Sequence, residues 1–168
     1  MISDKGITIE RVFDTPRQKV WDAVTKPDQV KAWWGPKDFY SPSIKIDFRV
    51  GGRYIYCMRG PKNSPWDKDL YSAGVYREIV PLEKLVVSDY SSDKDGHKAS
   101  PTEHGLMTDM PAEMNVTFYF KELSPTKTRL IIEYPRPASD KAFAAMKESR
   151  MEDGWGTSLD KLAALLQA

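Results

Sequence analysis

The period of apolar and polar positions changes several times along the chain, and each change marks an element boundary. Residues Ile7 to Phe13 are β-branched and aromatic with partial two-residue alternation, which predicts a first strand. Thr15-Pro16-Arg17-Gln18 then reads as a helix start, with a hydroxyl at the N-cap, proline at the first helical position and Gln18 completing a capping box. Val20, Trp21 and Val24 form the apolar face of that helix. Pro27 disfavours a helical Lys26 and opens a second short helix over Pro27 to Ala32, which Trp33-Trp34-Gly35-Pro36 stops.

From Ser43 the period becomes two. Ile44, Ile46 and Phe48 alternate with Lys45, Asp47 and Arg49, and Gly51-Gly52 turns the chain into a strand over Arg53 to Met58. In that strand Tyr54, Tyr56 and Met58 share one face, with Arg53, Ile55 and Cys57 on the other. After a turn between Gly60 and Pro65, strands are predicted at Leu70 to Val80 and Leu85 to Tyr90, joined by Pro81-Leu82-Glu83-Lys84. Ser91 to Pro111 shows no period, and a stretch of that length is more often a lid or binding loop than slack. Glu113 to Leu123 and Lys127 to Tyr134 are the last strands.

Beyond Pro137 the pattern is helical to the end, with Ser139 as cap and an apolar stripe of Met151, Trp155, Leu159, Leu162 and Leu166. Gly154 and Gly156 within this long helix predict a bend or a close backbone approach. Strand, two short helices, antiparallel strands and one long helix make an α+β plan. With no internal repeat or linker, residues 1–168 read as a single domain.

Composition removes several function classes. The 168 residues carry 25 Lys and Arg against 24 Asp and Glu, a net charge of +1 with no single-sign block, so nucleic acid is not an expected partner. Cys57 is the lone cysteine, which excludes an internal disulfide and fits a reducing compartment. The N-terminal residues have no signal-peptide pattern, and no window approaches 18 uninterrupted apolar residues, so a cytoplasmic location without a membrane span is expected.

The order and particular residues resemble the activator of Hsp90 ATPase homologue 1-like family, within the START-like or Bet v 1-like (SRPBCC) helix-grip superfamily. The residues that carry it are Phe13-Asp14-Thr15-Pro16, Trp33-Trp34-Gly35-Pro36, Gly51-Gly52-Arg53-Tyr54, the run Gly74 to Pro81, Val116-Thr117-Phe118, Gly154-Trp155 and Ser158-Leu159-Asp160. The resemblance runs almost end to end. It implies a helix-grip fold, a seven-stranded antiparallel sheet curled around the C-terminal helix, with a cavity for apolar or amphipathic small molecules. Tyr54 stands where the family often has Trp, and the loop from His97 to Met110 resembles the family's lid only loosely, best at His104-Gly105.

The expected function is therefore binding of an apolar or amphipathic small molecule, with no essential metal or organic cofactor. Candidate lining residues are Trp34 and Phe39 after the second helix, and Tyr54, Tyr56 and Met58 in the first hairpin. Tyr76, Tyr90 and Phe118 come from later strands, His104 and Met107 from the loop, and Met151 and Trp155 from the last helix. Aromatic residues serve equally as plain core, and the sequence leaves both roles open. Two alternatives come with the resemblance: a co-chaperone-like activator of an Hsp90-type ATPase, and a small cyclase or hydrolase acting on a cavity-bound substrate.

Other chemistry finds little support. GxSxG and SxxK signatures are not evident, Gly51-Gly52 lacks dinucleotide-binding spacing, and His97 and His104 match no zinc set even with Glu103 and Asp109 nearby. Asp93-Lys94-Asp95-Gly96 reads as a turn, since Ser91 and Thr102 stand where a calcium loop needs carboxylates. Glu78 is the ionisable group singled out, either desolvated in the cavity or paired on the surface with Arg77 or another cation.

Overall fold

The structure is a computed structural model that describes residues 6–100, 102 and 109–167. Strand β1 (Ile7–Phe13) leads into helices α1 (Arg17–Thr25) and α2 (Pro27–Trp33). Six strands follow: β2 (Ile44–Ile46), β3 (Arg53–Arg59), β4 (Asp69–Val80), β5 (Lys84–Ser92), β6 (Met114–Ser124) and β7 (Lys127–Tyr134). Helices α3 (Asp140–Glu148) and α4 (Met151–Gln167) end the chain. The strands form one antiparallel seven-stranded sheet in the order β1-β7-β6-β5-β4-β3-β2. This is the α+β helix-grip arrangement expected from the sequence.

Register decides which side chains meet beneath the helices. Between β5 and β6, Leu85 lies opposite Phe118, Val87 opposite Val116 and Asp89 opposite Met114, so these side chains share one face. Leu85, Val116, Phe120, Leu130 and Ile132 of the sheet pack with Val20 of α1, Met146 of α3, and Leu159 and Leu162 of α4. Removing each such side chain from water stabilises the fold by about 1.5–3 kcal/mol.

Three local expectations need correction. Thr15 does not cap α1: Pro16 occupies the N-cap position and no side chain bonds the first turn. Gln18 instead donates to Asp22, and the Thr15 hydroxyl is buried without a hydrogen-bond partner among the described residues. The Thr15 carbonyl accepts from the Thr128 hydroxyl at 2.8 Å, an anchor to β7 that fixes the residue outside capping geometry.

The strand at Ile44 stops at Ile46, before Phe48, because Asp47 to Gly52 coils into successive turns. Phe48 keeps an apolar contact, its ring edge-on to Trp21 at 5.9 Å and to Tyr76 at 5.1 Å.

The C-terminal helix is broken rather than continuous. Ser139 caps α3 as expected, accepting the Ala142 N–H. At the far end the Ser149 hydroxyl donates to the Met146 carbonyl at 2.6 Å, and Arg150 takes a left-handed conformation with φ 59°, which ends the helix. The break is not at the glycines. A Cβ on Gly154 or Gly156 would meet nothing within 4 Å, so neither glycine is required by a close approach.

Candidate functional site

Two cavities adjoin, an inner one between the sheet and helices α1, α2 and α4 and an outer one walled by strands and loops. The inner one has a volume of about 50 Å³ and is walled by Trp33 at the end of α2, Trp34 just after it, Tyr54 and Tyr56 of β3, Tyr76 of β4, Phe118 of β6, Tyr134 of β7 and Trp155 of α4. The outer one measures about 380 Å³ and is walled by Phe39, Met58, Trp66, Tyr71, Tyr90, Met110 and Met114, among others. Trp34, Ser72 and Asp89 line both, and so mark the junction. The outer volume falls in the range of small-molecule sites, whose walls are mostly apolar with a few placed polar groups.

The anticipated lining residues divide between them. Trp34, Tyr54, Tyr56, Tyr76, Phe118 and Trp155 face the inner cavity, while Phe39, Met58 and Tyr90 join Trp34 around the outer one. Met151 packs at the edge of the core cluster instead, a turn of helix away from Trp155. His104 and Met107 lie outside the described residues. Aromatic edges hold the wall together: Trp34 stands edge-on to Tyr56 at 4.7 Å and to Trp155 at 5.6 Å, and Phe118 edge-on to Trp155 at 6.0 Å.

Phenol hydroxyls supply the polar groups. The Trp155 indole N–H donates to the Tyr134 oxygen at 2.7 Å, and Tyr54 donates to the Ser88 carbonyl at 2.6 Å. That second bond needs Gly74, since a Cβ there would sit 1.8 Å from the Ser88 oxygen and 2.7 Å from the Tyr54 hydroxyl. The Tyr76 hydroxyl is buried with no well-formed hydrogen bond among the described residues, and the Tyr56 hydroxyl is near enough to lower its pKa slightly. Desolvation pushes the Tyr76 phenol up to about 12, and burial raises Tyr54, Tyr56 and Tyr134 as well, so all four stay protonated.

Asp89 is the functional candidate that sequence reasoning missed. It follows Leu85 and Val87 at two-residue spacing on β5, which places a carboxylate at the end of an apolar row facing the cavity. Burial pushes its acid up to about 6, and the Tyr54 hydroxyl, 3.4 Å from Oδ1, lowers it only partly. The alternation Leu85, Val87, Asp89 was available in the sequence as a signal.

Glu78, by contrast, is exposed and pairs with Lys84 at 3.4 Å. A bulge between Tyr76 and Glu78 shifts the strand's phase, so Tyr76 faces inward while Arg77 and Glu78 both face water. Arg77 turns to Asn115 and Glu113 of the neighbouring segment. The turn expected at Asp93 to Gly96 forms, with Gly96 at φ 84° and Asp93 accepting the N–H groups of Asp95 and His97. Asp93, Asp95 and His97 come close together there, all three exposed.

At the mouth, Lys161 of α4 donates to the carbonyls of Gly35 and Phe39, each at 2.9 Å. This ties the loop carrying Phe39 to the last helix, and partial burial lowers the pKa of the ammonium below the usual lysine value. No helix among the described residues is long and apolar enough to cross a membrane.

No curated protein matches the chain. Solved structures do. A protein from Arthrobacter aurescens aligns with a TM-score of 0.77 at 23% identity, over 95% of this chain and 84% of that one. A protein from Staphylococcus epidermidis aligns at 0.72 with 26% identity, over 99% and 92%. The AHSA1 protein of Silicibacter pomeroyi aligns at 0.70 with 22% identity, over 96% of each. The sequence model of the activator of Hsp90 ATPase homolog 1-like proteins matches residues 14–167, and the chain belongs to that family.

Proposed function

We propose that this protein binds an apolar or amphipathic small molecule in the two adjoining cavities, the inner of which lies between the sheet and helices α2 and α4. The observation that carries the reading is the Tyr76 hydroxyl, buried, without a well-formed hydrogen bond among the described residues and set in an otherwise aromatic wall. A buried hydroxyl left without a hydrogen bond costs about 1–3 kcal/mol, and a ligand with one polar group removes that cost. Family membership and the volume of the outer cavity support the same reading. We place the protein in the cytoplasm, a compartment that suits a chain with a single, buried cysteine, Cys57, and no internal disulfide to form.

Native mass spectrometry of the purified protein, with displacement of a neutral environment-sensitive dye, tests the reading. A co-purifying mass and dye binding to the folded state are expected. Failure of the folded protein to bind any apolar probe overturns the proposal. Family membership also supports an activator-like role on an Hsp90-type ATPase, and a stimulated ATP turnover in the absence of any cavity ligand would favour that reading instead.

A further inference from the structure

We propose that the cavity selects amphiphiles whose polar end is a protonated amine, held by the Asp89 carboxylate among the surrounding aromatic rings. This rests on the cavity-binding reading above and names its ligand class. Asp89 stands at the junction of the two cavities and lines both, so a ligand whose tail fills the larger one brings its headgroup to this carboxylate.

No cationic side chain among the described residues pairs with the carboxylate. Among the described residues, the group close enough to act on it is the Tyr54 hydroxyl at 3.4 Å. A phenol has one hydrogen, and Tyr54 commits it to the Ser88 carbonyl at 2.6 Å, the much shorter contact. Asp89 is therefore left with spare acceptor capacity and, among the described residues, only that longer Tyr54 contact. Desolvation by burial raises its acid to about 6, and at neutral pH the group is still mainly ionised.

The rings around it suit a cation. Trp34 stands edge to face with Tyr56 at 4.7 Å and with Trp155 at 5.6 Å, all three lining the inner cavity with Asp89, and ring faces carry the negative side of the quadrupole. An ammonium gains a charge-assisted hydrogen bond and a ring face together. A hydroxyl headgroup gains the hydrogen bond alone, and a carboxylate or phosphate headgroup meets a like charge in a poorly solvated site.

The test compares octylammonium, 1-octanol and octanoate, whose tails are alike, by titration against intrinsic tryptophan fluorescence at pH 7.5. Octylammonium is expected to bind about tenfold more tightly than 1-octanol, with octanoate weakest. Asp89→Asn is expected to bring octylammonium to within about twofold of 1-octanol, both measured on the variant. Equal binding of all three, a preference for octanoate, or a preference that survives Asp89→Asn overturns the amine assignment while leaving the cavity reading standing. Binding of none overturns both. The headgroup order is read on the unaltered protein, so the assignment stays open to refutation even if the variant fails to fold.

Discussion

The indole N–H of Trp155 donates to the phenol oxygen of Tyr134 across 2.7 Å, joining α4 to the last strand at the wall of the inner cavity. Both rings line that cavity, so one contact serves the helix-to-sheet packing and the shape of the binding space. Four residues on, Leu159 is buried, and Leu162 one turn further is fully buried, so the stripe of α4 passes from cavity wall to solid core.

Trp155→Ala and Leu162→Ala should separate those two roles. Leu162 has protein on every side, and its truncation is expected to cost about 2–5 kcal/mol in denaturant unfolding while leaving dye affinity of the folded fraction unchanged. Trp155 already faces empty space on one side, so Trp155→Ala should cost less than the roughly 3–5 kcal/mol of a packed tryptophan and should weaken dye binding. If the two variants lose binding alike, Trp155 is ordinary core.

How much of this was legible in the sequence depends on the range of the interaction that decides each feature. β1 and β7 have the bounds their alternation predicts, and the Ser139 cap forms, because local pattern and short-range hydrogen bonds settle those positions. Thr15 carries a capping-box pattern yet does not cap, because Thr128, far along the chain, holds its carbonyl. The break at Ser149 and Arg150 hides in a continuous helical pattern, since a left-handed arginine has no periodicity to betray it. At the site, the aromatic residues are visible by type. Asp89 is visible only once β5 is known to turn Leu85 and Val87 toward the helices, and Glu78 is misplaced by any strict period of two because of the bulge.

Asp89 should make stability fall with rising pH. Its acid is raised to about 6 in the folded protein, against about 3.9 for an unfolded aspartate. Between those values the folded state holds more protons than the unfolded chain, so unfolding free energy falls as pH rises through the window and the loss is complete above it. The loss is about 3 kcal/mol at most, because each tenfold difference in proton affinity between the folded and unfolded states is worth about 1.4 kcal/mol. Asp89→Asn removes this dependence, so its stability relative to the parent should rise from pH 4 to pH 8. Parallel pH curves for the two proteins would show that the carboxylate is solvated.

Gly156→Ala should stabilise the protein. Nothing lies within 4 Å of an added Cβ, and the residue sits inside α4 with ordinary helical backbone. Alanine narrows the unfolded ensemble and favours the helix by about 0.5–1 kcal/mol. Thermal unfolding reads the gain, and a loss would mean that the helix bends at this glycine in solution.

Lys161→Met should loosen the cavity mouth. The ammonium bonds the carbonyls of Gly35 and Phe39, and methionine keeps the stem's apolar packing while removing every donor. A cost of about 1–3 kcal/mol is expected, together with faster hydrogen exchange at the amides of Lys37 to Tyr40. Unchanged exchange there would show that the loop holds its place without the lysine.

Tyr76→Phe distinguishes a hydroxyl kept for a ligand from one that is part of the resting structure. The ring packs edge-on against Phe48 and close to Tyr54, and phenylalanine reproduces that packing. What changes is one buried oxygen with no well-formed hydrogen bond among the described residues. In the unliganded protein that oxygen has lost its water and gained only a weak interaction with the Tyr56 hydroxyl, so deleting it should raise stability by about 1 kcal/mol. In the liganded protein it should meet the ligand's polar atom together with Asp89, so the same deletion should weaken binding of 1-octanol several-fold. The two effects have opposite signs in one variant, which ordinary packing damage does not produce. A variant that is less stable by more than about 1 kcal/mol, with octanol affinity unchanged, would mean that the hydroxyl is already satisfied in solution, and the strongest support for a ligand in this cavity would be gone.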